Sequence, residues 1–145
     1  MVTWKTNADT LPLQTVLIIS DQQERVEVWE TLFGQRKCIV LSESNVFDAL
    51  QSARLIAPSL MLVDLNLSKA ERASLLDGLR GASRGPILML ISANTVDEII
   101  EANEAGADEC IVKPVNPAVL VVKAMAWLER GQRSERAALK LDVDA

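Results

Sequence analysis

Five short apolar runs, each followed by an amphipathic stretch, constrain this chain more than any other feature. They are Thr15–Ser20, Cys38–Leu41, Leu60–Val63, Ile87–Ile91 and Cys110–Val112. Runs this short and this rich in Val, Ile and Leu suit strands buried on both faces of a parallel sheet. Between them, apolar residues recur at helical spacing: Val26, Trp29 and Phe33, then Val46, Ala49, Leu50 and Ala53, then Leu75, Leu76 and Leu79. The first helix is expected from Gln23 to Phe33, with Gly34 as its natural C′ residue. The second stops before Pro58 and the third runs from about Ala70 to Arg80. Thr95 with Glu98 forms a capping box for a fourth helix that reaches Ala105 and is closed by Gly106. Asn116 caps a fifth that starts at Pro117 and runs to about Arg130. Five β-α units in series predict an α/β domain with a doubly wound, five-stranded parallel sheet and right-handed crossovers.

A length of 145 residues suits one domain. The expected division is an N-terminal arm over 1–13, the domain over 14–131, and a charged C-terminal tail over 132–145 that prolongs the last helix or serves as a linker. Composition removes several function classes. The chain has no His, which excludes Ser-His-Asp and Cys-His catalysis and most catalytic zinc sites. Net charge is −5 with no long basic run, and aromatic residues make up 3%, so direct nucleic-acid binding by this segment is not expected. Cys38 and Cys110 form no CxxC pair, and on the predicted topology they lie on opposite edge strands, too far apart for a disulfide. Met1–Leu13 lacks a continuous apolar stretch and no run approaches a membrane span, so no signal peptide and no membrane association are expected, and the cytoplasm is the expected compartment.

Polar residues fall where the strands end: Asp21 after the first, Asp64 after the third, Ser92 after the fourth and Lys113 after the fifth. In a doubly wound sheet these ends share one edge, where ligands bind. Two carboxylates, a hydroxyl and an ammonium suit phosphoryl chemistry with a hard cation. Mg²⁺ takes a few oxygen ligands, and one carboxylate can attack phosphorus. A lysine and a hydroxyl then neutralise the phosphoryl oxygens. Each residue alone also fits a helix cap, a loop or a solvated strand end. Flavin or nucleotide chemistry fits poorly, because the loop after the first strand, Asp21-Gln22-Gln23-Glu24, is acidic and has no Gly.

Val63-Asp64, Ser92-Ala93 after Pro86–Ile91, and Gly106-Ala107-Asp108 leading to Val112-Lys113-Pro114 occur in order across Thr15 to Arg130. In these motifs the chain resembles the response-regulator receiver domains of two-component signalling. The resemblance implies a flavodoxin-like (CheY-like) sheet of order 2-1-3-4-5 and a signalling role rather than an enzyme's. It implies Asp64 as phosphoacceptor, Ser92 as switch hydroxyl and Lys113 as the phosphoryl-contacting lysine, with a bond to Pro114 that is often cis. It places Mg²⁺ on Asp21, Asp64 and the backbone carbonyl of Asn66. The partners implied are a histidine kinase or phosphotransfer protein, with a homodimer and an output domain in a longer chain as further members of the pattern. Ser20 stands where the family has the first acid of its pair, and Cys110 where it has a switch aromatic. Leu67-Ser68 and Glu71-Arg72 replace the usual Met-Pro and Asp-Gly. These departures favour, as the alternative, a pseudo-receiver: an interaction module of the same fold that is not phosphorylated.

Overall fold

A computed structural model describes residues 13–92 and 95–144, excluding the side chains of 135–144. The expected N-terminal arm, apart from Leu13, and Ala93 lie outside the described residues. Strands and helices alternate: β1 (Thr15–Ser20), α1 (Gln23–Gly34), β2 (Ile39–Glu43), α2 (Val46–Ile56), β3 (Leu60–Asp64), α3 (Lys69–Ala82), β4 (Ile87–Ile91), α4 (Val96–Glu104), β5 (Glu109–Val112) and α5 (Pro117–Asp144). All strand pairs are parallel, in the order β2-β1-β3-β4-β5.

The two-residue period of the strands builds two cores. Val16 and Ile18 of β1, with Leu60 and Leu62 of β3, face Val26, Trp29 and Phe33 of α1 and Leu120, Ala124 and Leu128 of α5. Leu17, Ile19, Met61 and Val63 face Ala49 and Ala53 of α2, Leu75 and Leu79 of α3, and Ala102 of α4. Strands covered on both faces explain why β1, β3 and β4 read as unbroken apolar runs. Chain order reverses between β1 and β3, which opens a crevice at their C-terminal tips. There Ser20 pairs with Asp64 in the β1–β3 ladder.

Several boundaries differ from expectation. Gly34 is the last residue of α1 and is not its left-handed cap; the positive φ falls on Lys37, at 63°. β2 begins one residue late and runs on to Glu43, because ladder pairing with β1 carries it through Ser42 and Glu43. α3 starts at Lys69, fixed by a reciprocal capping box in which Ser68 Oγ accepts from the Glu71 amide and Glu71 accepts from the Ser68 amide. α5 continues through Gly131 to Asp144, so the charged stretch prolongs the last helix, one of its two expected forms, since one glycine costs a helix only about 1 kcal/mol. The expected caps at Thr95 and Asn116 form: Thr95 Oγ1 accepts from the Glu98 amide, and Asn116 Oδ1 from the amides of Ala118 and Val119. Gly106 closes α4 with a φ of 121°. Both cysteines are free. Among the described residues, no helix is long and apolar enough to cross a membrane.

Candidate functional site

Asp64 ends β3 with its carboxylate fully buried. Strand alternation would turn a C-terminal Asp into the core, and only a set of cations and donors makes that burial tolerable. Oδ2 accepts from Ser20 Oγ at 3.0 Å and from Arg25 Nε at 2.9 Å. Ser20 is held for this task by its own strand pairing with Asp64 and by the Gln22 amide, which donates to Oγ at 3.1 Å. Lys113 Nζ lies 2.7 Å from Oδ1 as an ion pair, but outside hydrogen-bond geometry, so the buried Oδ1 has no hydrogen-bond donor. Lys113 reaches this point because β5 ends one residue earlier and its amide donates to the Ile91 carbonyl; the Lys113–Pro114 peptide is cis.

Asp21 follows Ser20 at the same rim and is exposed; its Oδ1 accepts from Gln22 Nε2 at 3.1 Å. Asn66, Ser92 and Lys113 line one cleft of about 390 Å³, together with Arg72 and Glu98. Lys113 therefore joins the two halves of the site: it touches Asp64 on one side and faces the cleft on the other. Asp64 is in direct contact with Ser20 through Oδ2 and with Lys113 through Oδ1, Asn66 and Ser92 share the adjoining cleft, and Asp21 sits on the rim turned toward Gln22. Among the described residues, no three His, Cys, Asp or Glu side chains cluster as a metal site. A metal here would need a third oxygen from the main chain, as Asn66 can supply. The donor set fits a hard cation in kind: two carboxylates and a main-chain carbonyl on one rim.

Two residues escaped the sequence reading. Arg25 sits four residues before buried Trp29, at the margin of the apolar stripe of α1, and its guanidinium turns inward to Asp64. That margin, directly beside two acidic strand tips, was the available signal. Arg72 lines the cleft from α3, and its positive charge opposes the burial that pushes the Cys110 thiol above the usual range. Cys110 itself packs against the core formed with α2, α3 and α4.

The model of the response regulator receiver domain matches residues 16–125. The nisin biosynthesis regulatory protein NisR of Lactococcus lactis is 27% identical over 122 residues, covering 84% of this chain and 53% of that protein. The transcriptional regulatory protein SrrA of Staphylococcus aureus is 29% identical over 117 residues, covering 80% of this chain and 48% of that protein. The chain thus spans about half the length of these curated relatives. Among solved structures, the BeF3-activated N-terminal receiver domain of RstA from Klebsiella pneumoniae is 27% identical with a TM-score of 0.69, covering 79% of this chain and 98% of that one. A two-component response regulator from Clostridium difficile is 21% identical with a TM-score of 0.73, covering 81% and 97%, and shows the shared fold. With the family model spanning most of the chain, and with strand order and polar rim agreeing, this protein belongs to the response-regulator receiver domain family.

Proposed function

We propose that Asp64 accepts a phosphoryl group from a histidine kinase or phosphotransfer protein in the cytoplasm. The carrying observation is the buried Asp64 carboxylate with Lys113 Nζ 2.7 Å from Oδ1, an anionic oxygen already paired with the cation that would neutralise an incoming phosphoryl group. In the transfer, a bond forms between the Asp64 oxygen and phosphorus as the donor's nitrogen–phosphorus bond breaks, and its electron pair leaves with the imidazole nitrogen. Lys113 neutralises the phosphoryl oxygens, and Ser92, from the shared cleft, donates its hydroxyl to one of them. Receiver domains generally bind Mg²⁺ at this site; here Asp21, Asp64 and the Asn66 carbonyl would hold it, and it supplies further charge neutralisation.

The phosphorylated state would be read on α4, β5 and α5, where Val96, Ile100, Val112, Val119 and Val122 are exposed. An attached output domain or a second copy would meet this surface. Incubation with acetyl phosphate and Mg²⁺ tests the proposal. The expected result is a mass increase of one phosphoryl group that is absent from Asp64→Ala; an increase that persists in Asp64→Ala refutes it.

The pseudo-receiver reading is favoured by one observation, the engagement of Asp64 Oδ2 by Arg25 in addition to Ser20. On that reading the ion pair is a permanent structural feature, and neither Mg²⁺ binding nor phosphorylation occurs. Phosphorylation in the assay above removes it.

A further inference from the structure

Arg25 has no place among the residues that carry the proposed transfer, yet it makes a direct charged contact with the acceptor. We propose that Arg25 is a built-in counter-cation of this site that competes with Mg²⁺ for Asp64, setting how strongly the domain binds the metal. The inference rests on the reading of Asp64 as the acceptor at a metal-assisted site.

The geometry supports competition in two ways. Arg25 Nε and Ser20 Oγ both reach Asp64 Oδ2, and two donors fill the two lone pairs of one carboxylate oxygen. A metal ligated there must displace one of them. Arg25 is also the displaceable partner: its side chain is 45% exposed, whereas the carboxylate it meets is fully buried, so the guanidinium closes the mouth from the solvent side.

Charge points the same way. Asp21 and Asp64 contribute two negative charges at this rim, and Arg25 and Lys113 contribute two positive ones, leaving no net charge. An acid in place of Ser20, with no arginine contact, would leave the rim two charges negative. A divalent ion is drawn more strongly to the second arrangement than to the first. Because it is tethered to α1, the guanidinium is present whatever the metal supply. It suits phosphoryl oxygens as well as carboxylate, so transfer to Asp64 would release it from the carboxylate toward the new group.

Titration of the unphosphorylated protein with Mg²⁺, followed by the shift in melting temperature, tests this in the wild type, Arg25→Met and Arg25→Lys. Arg25→Met removes the charge while keeping an apolar stem and should tighten the Mg²⁺ midpoint by ~10-fold or more, as expected for removing one charge within a few ångströms of the ligand. Arg25→Lys keeps the charge and should stay near the wild type. Should Arg25→Met fail to fold, Arg25→Gln serves in its place with the same expected tightening. An unchanged or weaker midpoint in the uncharged variant overturns the proposal, as does an equal shift in Arg25→Lys. The readout needs no phosphoryl transfer. Tightened Mg²⁺ binding in a protein that acetyl phosphate does not label would sink the acceptor reading and leave the role of Arg25 standing.

Discussion

Replacing Ser20 with Asp would put a second carboxylate beside Asp64, and its energetic effect follows from the contacts at the tip of β1. Ser20 is 4% exposed and its Oγ donates to Asp64 Oδ2 at 3.0 Å. The substitution removes that charge-assisted hydrogen bond, a loss of about 1.5–3 kcal/mol. It also sets two carboxylates about 5 Å apart, where an effective dielectric near 20 gives a repulsion of about 3 kcal/mol. Attraction of the new charge to Arg25, of about the same size, offsets the repulsion. Desolvation of a carboxylate at this buried position adds to the loss, so the net destabilisation without metal is at least about 2 kcal/mol, which at this chain length lowers the melting temperature by roughly 6–8 °C or more. Mg²⁺ at about 100 times its dissociation constant stabilises a binding-competent fold by about 2.7 kcal/mol, enough to recover a loss of that size. Thermal melts of the wild type and Ser20→Asp, with and without Mg²⁺, measure both terms. The reasoning is refuted if Ser20→Asp melts no lower than the wild type in the absence of metal, or if Mg²⁺ raises both proteins equally.

Two further predictions concern the scaffold. A Cβ at Gly85 would lie 2.6 Å from the Ser59 carbonyl oxygen and 2.7 Å from that of Pro58. Both are main-chain atoms that cannot step aside, so Gly85→Ala should cost about 1–3 kcal/mol in urea unfolding. Burial pushes the Glu109 carboxyl up, but hydrogen bonds from Trp127 and Lys123 and the charges of Lys123 and Arg130 outweigh it and hold the group below the ordinary carboxylate range. A carboxyl lowered in the folded state contributes stability that is present above its unfolded pKa and is lost as pH falls through the folded value. The wild type should therefore lose more melting temperature on acidification than Glu109→Gln does.

Much of this architecture was legible because strands buried on both faces leave a plain mark. Val16–Ile19 and Ile87–Ile91 are apolar at every position, and the structure buries every one of them. The polar strand ends were legible for the same reason: Asp64 and Lys113 interrupt apolar runs, and topology alone brings those interruptions to one edge. What was hidden depended on the reach of side chains and on ladder pairing. Arg25 reads as one more charge on a helix of mixed composition until its four-residue offset from Trp29 is set against the acids of the adjacent strand tips. Ser42 and Glu43 look like a polar loop, and only the backbone of β1 makes them strand. The start of α3 is written in the Ser68–Glu71 capping pattern and not in apolar periodicity, which is weak in its first turn.

Ser20 faces Asp64 within the β1–β3 ladder, and this has a consequence for how the domain fails. Half of the constellation is mounted on central strands whose amides are among the last to open, since β1 and β3 have neighbours on both sides. The backbones that carry Asp64 and Ser20 therefore keep their register through local fluctuations and separate only when the sheet itself unzips. Substitutions in the surrounding loops then leave Asp64 in place, whereas a slip of one position between these two strands would displace Asp64 and disrupt the core together.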